Sequence, residues 1–334
     1  MDPAISIVIP VFNGELYLEQ TIKSLQNQTF TDFEIVFVDD SSTDSSVKLL
    51  QHFAQNDNRI KVFQKPNGGT AAKAVNYGLA FARGKYFMYS SQDDIFSIDL
   101  LEKNYAVAID MNADAVVPDM ILFYGEQNYG KKTVGIVGDR SQIIDGRKGL
   151  ILSLDWTIHG FVMWRMETVR RCGFYEFGIN SDEFTTRVLY YMSNRIAFSE
   201  GIFYYRQNNI NAITKKWNIR QLECFNTSLK LEEFLLEKEF SEEAIALANK
   251  IIFIDLIRVQ LMFLDNRRKM AEDDVYIAKK AIKNIYETSQ SKIKALKYTS
   301  LKHKIMHVFV SANYNSFIAF VAMYRKFLSL SNGR

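Results

Sequence analysis

Four short apolar runs, each but the last followed by an amphipathic helical pattern, fill the first hundred residues, and this alternation restricts the fold more than any other feature. Ile5–Val11 is a β-branched run of the buried-strand type. Asn13-Gly14 breaks it, and Leu18, Ile22 and Leu25 follow at helical spacing. A second strand, Glu34–Val38, ends in Asp39-Asp40-Ser41-Ser42-Thr43-Asp44, and the next helix carries Val47, Leu50 and Phe53 or Ala54 on one face. A third, Ile60–Phe63, precedes Pro66-Asn67-Gly68-Gly69. Ala72, Val75, Leu79 and Ala82 then mark a helix whose C-terminal cap is expected at Gly84. Lys85–Tyr89 is the fourth strand and runs into Ser91-Gln92-Asp93-Asp94. Such a rhythm implies a parallel, doubly wound sheet with its ligand at the carboxyl ends of the strands. Asn13, Asp39-Asp40, Asn67 and Asp93-Asp94 all fall at those ends.

The rest of the chain is organised differently. Residues 100–215 mix strand and helix signals and include a Trp/His/Arg-rich stretch from Trp156 to Arg165. Beyond Trp217 come amphipathic patterns over Leu222–Glu237, Glu242–Leu264 and Asp273–Ile285 without intervening strands. The expected division is therefore 1–215 and 216–334, the second region being helical. The last acidic residue is Glu287, and eight Lys/Arg lie between Lys292 and Arg334, so the remainder is mildly acidic. A basic, aromatic tail on an acidic body predicts a surface partner for the tail, and argues against a body that binds nucleic acid. The longest unbroken apolar stretch there, Phe317–Tyr324, is far short of a membrane span. An anionic membrane surface fits residues 292–334, and a helical partner or homo-oligomer contact is the alternative. Two cysteines build neither a disulfide framework nor a cysteine zinc site. Met1-Asp2-Pro3 has no basic leader region, so the expected location is cytoplasmic, peripheral on the inner face of the membrane.

No Gly-x-Gly-x-x-Gly follows the first strand and no phosphate-loop motif occurs, which removes the dehydrogenase and P-loop readings. Two adjacent carboxylates at a strand end repel each other unless a cation or donors compensate. Asp93-Asp94 alone reads as a solvated turn or helix cap, but the Asp39-Asp40 pair on another strand favours a ligand site. Ser42 to Asp44 are good N-cap residues for the helix that follows. Capping does not account for Asp40, where a carboxylate can accept from a base N–H or a ribose hydroxyl.

These residues, together with Gln28–Asp44, Asn67-Gly68-Gly69, Asn76-Tyr77-Gly78 and Gly84-Lys85-Tyr86, resemble the nucleotide-sugar-binding half of family 2 glycosyltransferases over roughly 100 residues. A looser likeness runs to about residue 215. The resemblance implies a GT-A fold, a nucleotide-diphosphate sugar donor, Mn²⁺ or Mg²⁺, and inversion at the anomeric carbon. It implies that Pro10 and Phe12 wall the base and that Asp40 binds the uracil edge. Asn67 belongs to the same donor site, Asp93 faces the ribose and sugar side, and Asp94 ligates the metal with the diphosphate. Many members carry an Asp where this chain has Ser91, so whether Asp94 alone or Asp93 too holds the metal stays open. Lys73 either reaches a donor phosphate or is an exposed helix-face lysine.

An inverting transfer needs a base beside the acceptor hydroxyl. The family's acidic pair is matched imperfectly by Ser181-Asp182-Glu183-Phe184-Thr185-Thr186-Arg187. Holding Phe184 and Arg187 in register puts the base position on Ser181, so Asp182 is the expected base and Glu183 the second choice. Tyr205-Arg206-Gln207-Asn208-Asn209 and Asn211–Lys216 resemble the family's closing segment, in which Arg206 and Lys215 would approach the diphosphate. Trp156, His159 and Trp164 are candidates for an acceptor cleft, since sugars stack on aromatic faces, with core packing the better reading for at least one of the tryptophans. The expected activity is transfer from a UDP-sugar to a hydroxyl of a glycan or lipid-linked acceptor in surface polysaccharide synthesis. The rivals are a dTDP- or other nucleotide-sugar donor, and a non-catalytic carbohydrate-binding or scaffold protein, which would have no use for Asp40, Asp93 and Asp94.

Overall fold

The computed structural model describes residues 2–126, 128–297 and 301–331, and the chain divides into two compact units. The first comprises residues 1–176 and 181–209, the second 177–180 and 210–334.

The first unit is built on one mixed sheet. Strands β1 (Ile5–Val11), β2 (Phe33–Asp39), β3 (Ile60–Gln64) and β4 (Tyr86–Tyr89) are parallel, in the order β3-β2-β1-β4. The sheet continues through β8 (Met163–Arg165), β6 (Ala115–Gly125) and β9 (Ile196–Arg206) to β5 (Ile95–Phe96), and β7 (Asn128–Thr133) pairs with β6. β8 runs antiparallel to both of its neighbours, whereas β6 and β9 are parallel.

Strand periodicity sends alternate side chains to two layers of helix. Ile5, Ile7, Ile9 and Val11 join Ile35 and Phe37 in a core with Leu18, Ile22 and Leu25 of α1 (Glu15–Gln26), Leu50 of α2 (Ser46–Asn56) and Leu100 of α4 (Leu100–Asp110). The opposite face, with Val8, Val36 and Val38, receives α3 (Ala71–Leu79). Gly78 makes that approach possible, because a Cβ there would lie 2.6 Å from Val8 Cγ1 and 3.0 Å from Val38 Cγ2. The α/β expectation holds, with a sheet that is parallel at β1–β4 and mixed beyond.

Two local expectations are corrected. Gly84 does not cap α3, which ends at Leu79. It lets the chain press onto β1, where a Cβ would sit 2.4 Å from Ser6 N, and its own N–H donates to Ser6 Oγ at 2.7 Å. Ser42 to Asp44 do not simply cap their own helix. Gly14 N–H donates to Ser46 Oγ at 2.8 Å, Asn13 N–H to Ser42 Oγ at 2.9 Å and Glu15 N–H to Asp44 Oδ2 at 3.1 Å. In return Thr43 N–H donates to Asn13 Oδ1 at 2.8 Å and Ser45 N–H to Glu15 Oε2 at 2.8 Å. The loops before α1 and α2 therefore satisfy each other's orphan amides. Burial works against it, yet hydrogen bonds from Ser46 and Glu15 hold the Asp44 carboxyl below its ordinary value.

The second unit is helical: α8 (Cys224–Glu237), α9 (Glu242–Asn266), α10 (Glu272–Ala295), α11 (Leu301–Ala312) and α12 (Tyr314–Ser331). Its core joins Phe225, Phe253, Leu256 and Phe263 to Ile282, Tyr286, Phe317 and Val321. α10 outruns the expected Asp273–Ile285, with acids in its first turn and Lys292 and Lys294 in its last, as the helix dipole favours. Part of the tail's apolar complement is core: Val310, Phe317, Phe320 and Val321 are buried. Arg334 lies outside the described residues.

Candidate active site

The carboxyl ends of β1, β2 and β4 meet as the alternation predicts. Asp40 follows β2, and its N–H donates to Val11 O at 2.8 Å, tying it to the end of β1. Its carboxylate is nearly buried and accepts from Lys65 Nζ at 2.6 Å and Gly68 N–H at 2.8 Å, while Asn67 Nδ2 donates to Asp40 O at 2.9 Å. Asp39, by contrast, is spent on its own turn through Ser42 N–H. Lys65 escaped sequence reading, although it too stands just past a strand. Gly68 lies between two cations: a Cβ there would be 2.7 Å from Lys65 Nζ and 3.1 Å from Lys73 Cβ. Lys73 is exposed on the first turn of α3, which Thr70 caps.

Pro10 is in β1, paired with Val38, and Phe12 presents an exposed ring beyond the strand. Gln92 fixes that turn, accepting from Phe12 N–H at 2.8 Å through Oε1 and donating to Phe12 O at 3.0 Å through Nε2. One amide side chain thus clamps the first strand's end to the acidic loop. Nothing in the sequence singled it out.

Asp94 is fully buried. Its Oδ1 accepts from Arg206 N–H at 2.9 Å, and its Oδ2 has no hydrogen-bond partner among the described residues. Burial first, and then the neighbouring Asp93 charge, push its carboxyl well above the ordinary range. Asp93 accepts from Asn209 Nδ2 at 2.7 Å. The Arg206 guanidinium does not project freely. It donates to Asp93 O at 2.5 Å and Gln20 Oε1 at 2.6 Å, and lies 4.4 Å from the Tyr17 ring centroid and 4.9 Å from that of Phe123. It props the acidic loop from beneath.

Asp182 and Glu183 open α7 (Ser181–Met192). Glu183 is held by Arg187, whose Nη1 reaches its carboxylate at 2.5 Å. Asp182 is half-buried, and burial, then the Glu183 charge, raise its carboxyl to about 7. The two acidic groups share surroundings: Tyr205 is pushed up by burial and by the charges of Asp94, Glu183, Asp93 and Asp182. Tyr89 responds likewise to burial, Asp182 and Asp94.

Of the three candidate acceptor residues, Trp164 is the tryptophan expected in the core, and His159 is core as well. Trp164 packs edge-to-face on Tyr190, with centroids 4.9 Å apart. His159 bonds Pro118 O at 2.8 Å and accepts from Phe161 N–H at 3.2 Å, and burial lowers it to about 4, so it is a neutral structural imidazole. Trp156 is exposed, at a φ of 62°. Lys215 is in the second unit, on the short 3₁₀ turn Ile213–Lys215.

Among the described residues no three His, Cys, Asp or Glu side chains converge on one point. The described residues alone therefore supply no complete metal cage. A buried carboxylate with an orphaned oxygen beside a second carboxylate does fit a hard dication that takes its other oxygens from a phosphate and water.

A family model described as Glycosyl transferase family 2 matches residues 6–169, the span that contains Asp40, Asp93 and Asp94. Residues 6–169 are a family 2 glycosyltransferase domain. The glycosyltransferase GlyG of Streptococcus pneumoniae is 26% identical over 225 residues, 63% of this chain and 72% of that protein. An uncharacterized glycosyltransferase of Haemophilus influenzae is 41% identical over 101 residues, 30% of this chain and 40% of that protein. A Campylobacter jejuni protein named GalNAc(5)-diNAcBac-PP-undecaprenol beta-1,3-glucosyltransferase is 39% identical over 98 residues, 28% of this chain and 30% of that one. GlyG apart, this glycosyltransferase therefore spans less than half the length of these relatives. In fold it matches S. aureus TarS 1-349 in complex with UDP-GlcNAc at a TM-score of 0.68 and 17% identity, covering 98% of this chain and 92% of that one. A mannosyltransferase of Pyrobaculum calidifontis in complex with GDP-Man and Mn²⁺ matches at 0.52 and 13% identity, covering 99% of this chain and 87% of that one. The fold is GT-A.

Proposed function

We propose that this glycosyltransferase moves a sugar from a UDP-sugar to a hydroxyl of a glycan or lipid-linked acceptor, with inversion, in the synthesis of a surface polysaccharide or glycolipid. The observation that carries the reading is a division of labour among four carboxylates gathered around Tyr205. Glu183 is paired with Arg187, the buried Asp94 lies beside the partly exposed Asp93, and burial with the Glu183 charge raises the Asp182 carboxyl to about 7. A carboxyl near 7 is a far stronger base than an ordinary aspartate and is still ionised in half of the molecules at that pH.

In this reading the nucleoside lies over the ends of β1 and β2, its base between Pro10 and Phe12. Asp40, oriented by Lys65 and Gly68, accepts from the uracil edge, with Asn67 fixing the loop. Asp182 removes the proton from the acceptor hydroxyl as that oxygen forms its bond to the anomeric carbon. The carbon's bond to the diphosphate oxygen breaks on the opposite side, which gives inversion. Mn²⁺ or Mg²⁺ held by Asp94, with Asp93 beside it, would supply positive charge to the departing diphosphate. Lys73 is proposed to add to that charge from the protein. Arg206 acts through Asp93 and Asn208 as a positioning residue.

UDP is favoured by the UDP-GlcNAc carried by the S. aureus structure, and an undecaprenol-linked acceptor by the Campylobacter relative's name. The GDP-Man in the Pyrobaculum structure keeps a second donor base in view. The test is a panel of UDP-, dTDP- and GDP-sugars assayed for released nucleotide, with calorimetric titration of UDP with and without Mn²⁺. Release from a UDP-sugar, with UDP binding strengthened by Mn²⁺, is expected. Release only from another nucleotide-sugar refutes the UDP assignment, and no turnover with any donor and acceptor refutes the enzyme reading.

A further inference from the structure

The tail helices of the second unit carry an apolar face that their own core leaves uncovered. α11 and α12 form a hairpin in which Phe309 and Phe320 stack with centroids 6.0 Å apart, and Tyr286 of α10 donates to Val310 O at 2.7 Å. Away from that core, Ile305, Val308 and Phe309 recur at i, i+3 and i+4 on α11, and Met323 and Phe327 at i and i+4 on α12. All five are between 47% and 65% exposed. Single exposed apolar side chains are ordinary, whereas stripes on two adjoining helices call for a cover.

The charge around the stripes says what covers them. Residues 292–334 hold eight Lys/Arg and no acid. Lys292 and Arg325 are engaged by Glu232 and Asp265, but Lys294 and Lys304 are exposed. The Arg325–Asp265 pair also sets α12 beside the end of α9, where Arg267, Arg268 and Lys269 are exposed. Glu272 to Asp274 sit at the N-terminus of α10, where they answer the helix dipole. Apolar stripes flanked by cations match an anionic headgroup layer over an acyl interior.

We propose that the α11–α12 hairpin docks on an anionic lipid bilayer, both helices lying in the headgroup plane with Ile305, Val308, Phe309, Met323 and Phe327 turned into it. Among the described residues no helix is long and apolar enough to cross a membrane, so lying in the interface is the geometry left to this face. The inference stands apart from the donor chemistry and can fail without it.

Flotation of the full chain with phosphatidylglycerol/phosphatidylcholine vesicles, against pure phosphatidylcholine, tests it. Binding to the anionic vesicles, released by high salt, is expected. A basic residue near an anionic surface raises partitioning roughly fivefold, so Lys294→Gln with Lys304→Gln should weaken binding about 25-fold. Val308→Ser with Phe327→Ser should weaken it at both low and high salt. All four side chains are exposed, so unchanged melting temperatures certify folding. No flotation, or flotation indifferent to both variant pairs, overturns the proposal. So does a dimer in sedimentation that the serine variant abolishes while wild type ignores vesicles, which would give the face to a second copy of the chain.

Discussion

Replacing Asp182 with Asn should cost activity and return stability, and the two effects have one cause. The carboxyl titrates at about 7 against an ordinary 3.8 because burial and the Glu183 charge oppose its ionised form. Roughly three pH units at about 1.36 kcal/mol each bound the cost of the charge at about 4 kcal/mol. The side chain is only half-buried, so water screens part of it, and about 1–2 kcal/mol is the expected gain. The sign follows from proton counting. Between about pH 4 and 7 the folded chain holds a proton that the unfolded chain has released, so wild type loses stability as pH rises through that window. The Asn variant has no such proton. The two should therefore unfold alike near pH 4, and the variant should melt several degrees higher at pH 8. Its transfer rate should fall by about 10²–10⁴, and the acid limb of the kcat/KM profile, rising to a plateau above about pH 7, should disappear. Parallel stability curves for the two proteins, or a variant that is less stable at pH 8, would refute the electrostatic argument. A full effect from Glu183→Gln with none from Asp182→Asn would move the base by one residue.

Other perturbations probe the neighbouring parts. Asp94→Asn should fold yet lose most Mn²⁺-stimulated nucleotide release, since a neutral amide is a poor ligand for a hard dication; wild-type turnover at ordinary Mn²⁺ would sink the metal assignment. Lys65→Met strips Asp40 of a buried partner, so urea unfolding should reveal a loss of about 3 kcal/mol, and calorimetry a weaker UDP complex. Gly84→Ala should cost about 1–3 kcal/mol in the same denaturation assay, because the new methyl meets β1 backbone; a neutral result would mean that the strand shifts aside freely.

The parallel half of the sheet was legible because β1, β2 and β4 are buried on both faces and read as continuous apolar runs. Its ligand edge was legible because the rhythm of strand and helix puts Asp40 and Asp94 at equivalent places. What stayed hidden depended on partners distant in sequence. Gln92 looks like any loop glutamine until Phe12 is seen against it, and Lys65 like a surface cation until Asp40 turns back onto it. Arg206 was expected among phosphates because its segment resembles the family's closing loop, whereas its guanidinium, close to the Tyr17 and Phe123 rings, is engaged by the Asp93 carbonyl. His159 misled for a related reason. Residue type suggests sugar stacking or proton transfer, whereas burial decides between those roles and packing, and burial in an irregular stretch has no period to betray it.

The reciprocal amide bonds between the loops that open α1 and α2 make those loops a single element in every respect but covalent connection. Neither can lengthen, shorten or shift register alone, since each holds the acceptors for the other's first turn. Opening one strips the other, so the amides of Asn13, Gly14, Glu15, Thr43 and Ser45 should exchange with deuterium as one cohort. Ser42, Asp44 and Ser46 then become remote governors of where Phe12 stands. Drift at these positions must be matched across the gap, and a substitution at Ser46 should be felt at a ring it never touches.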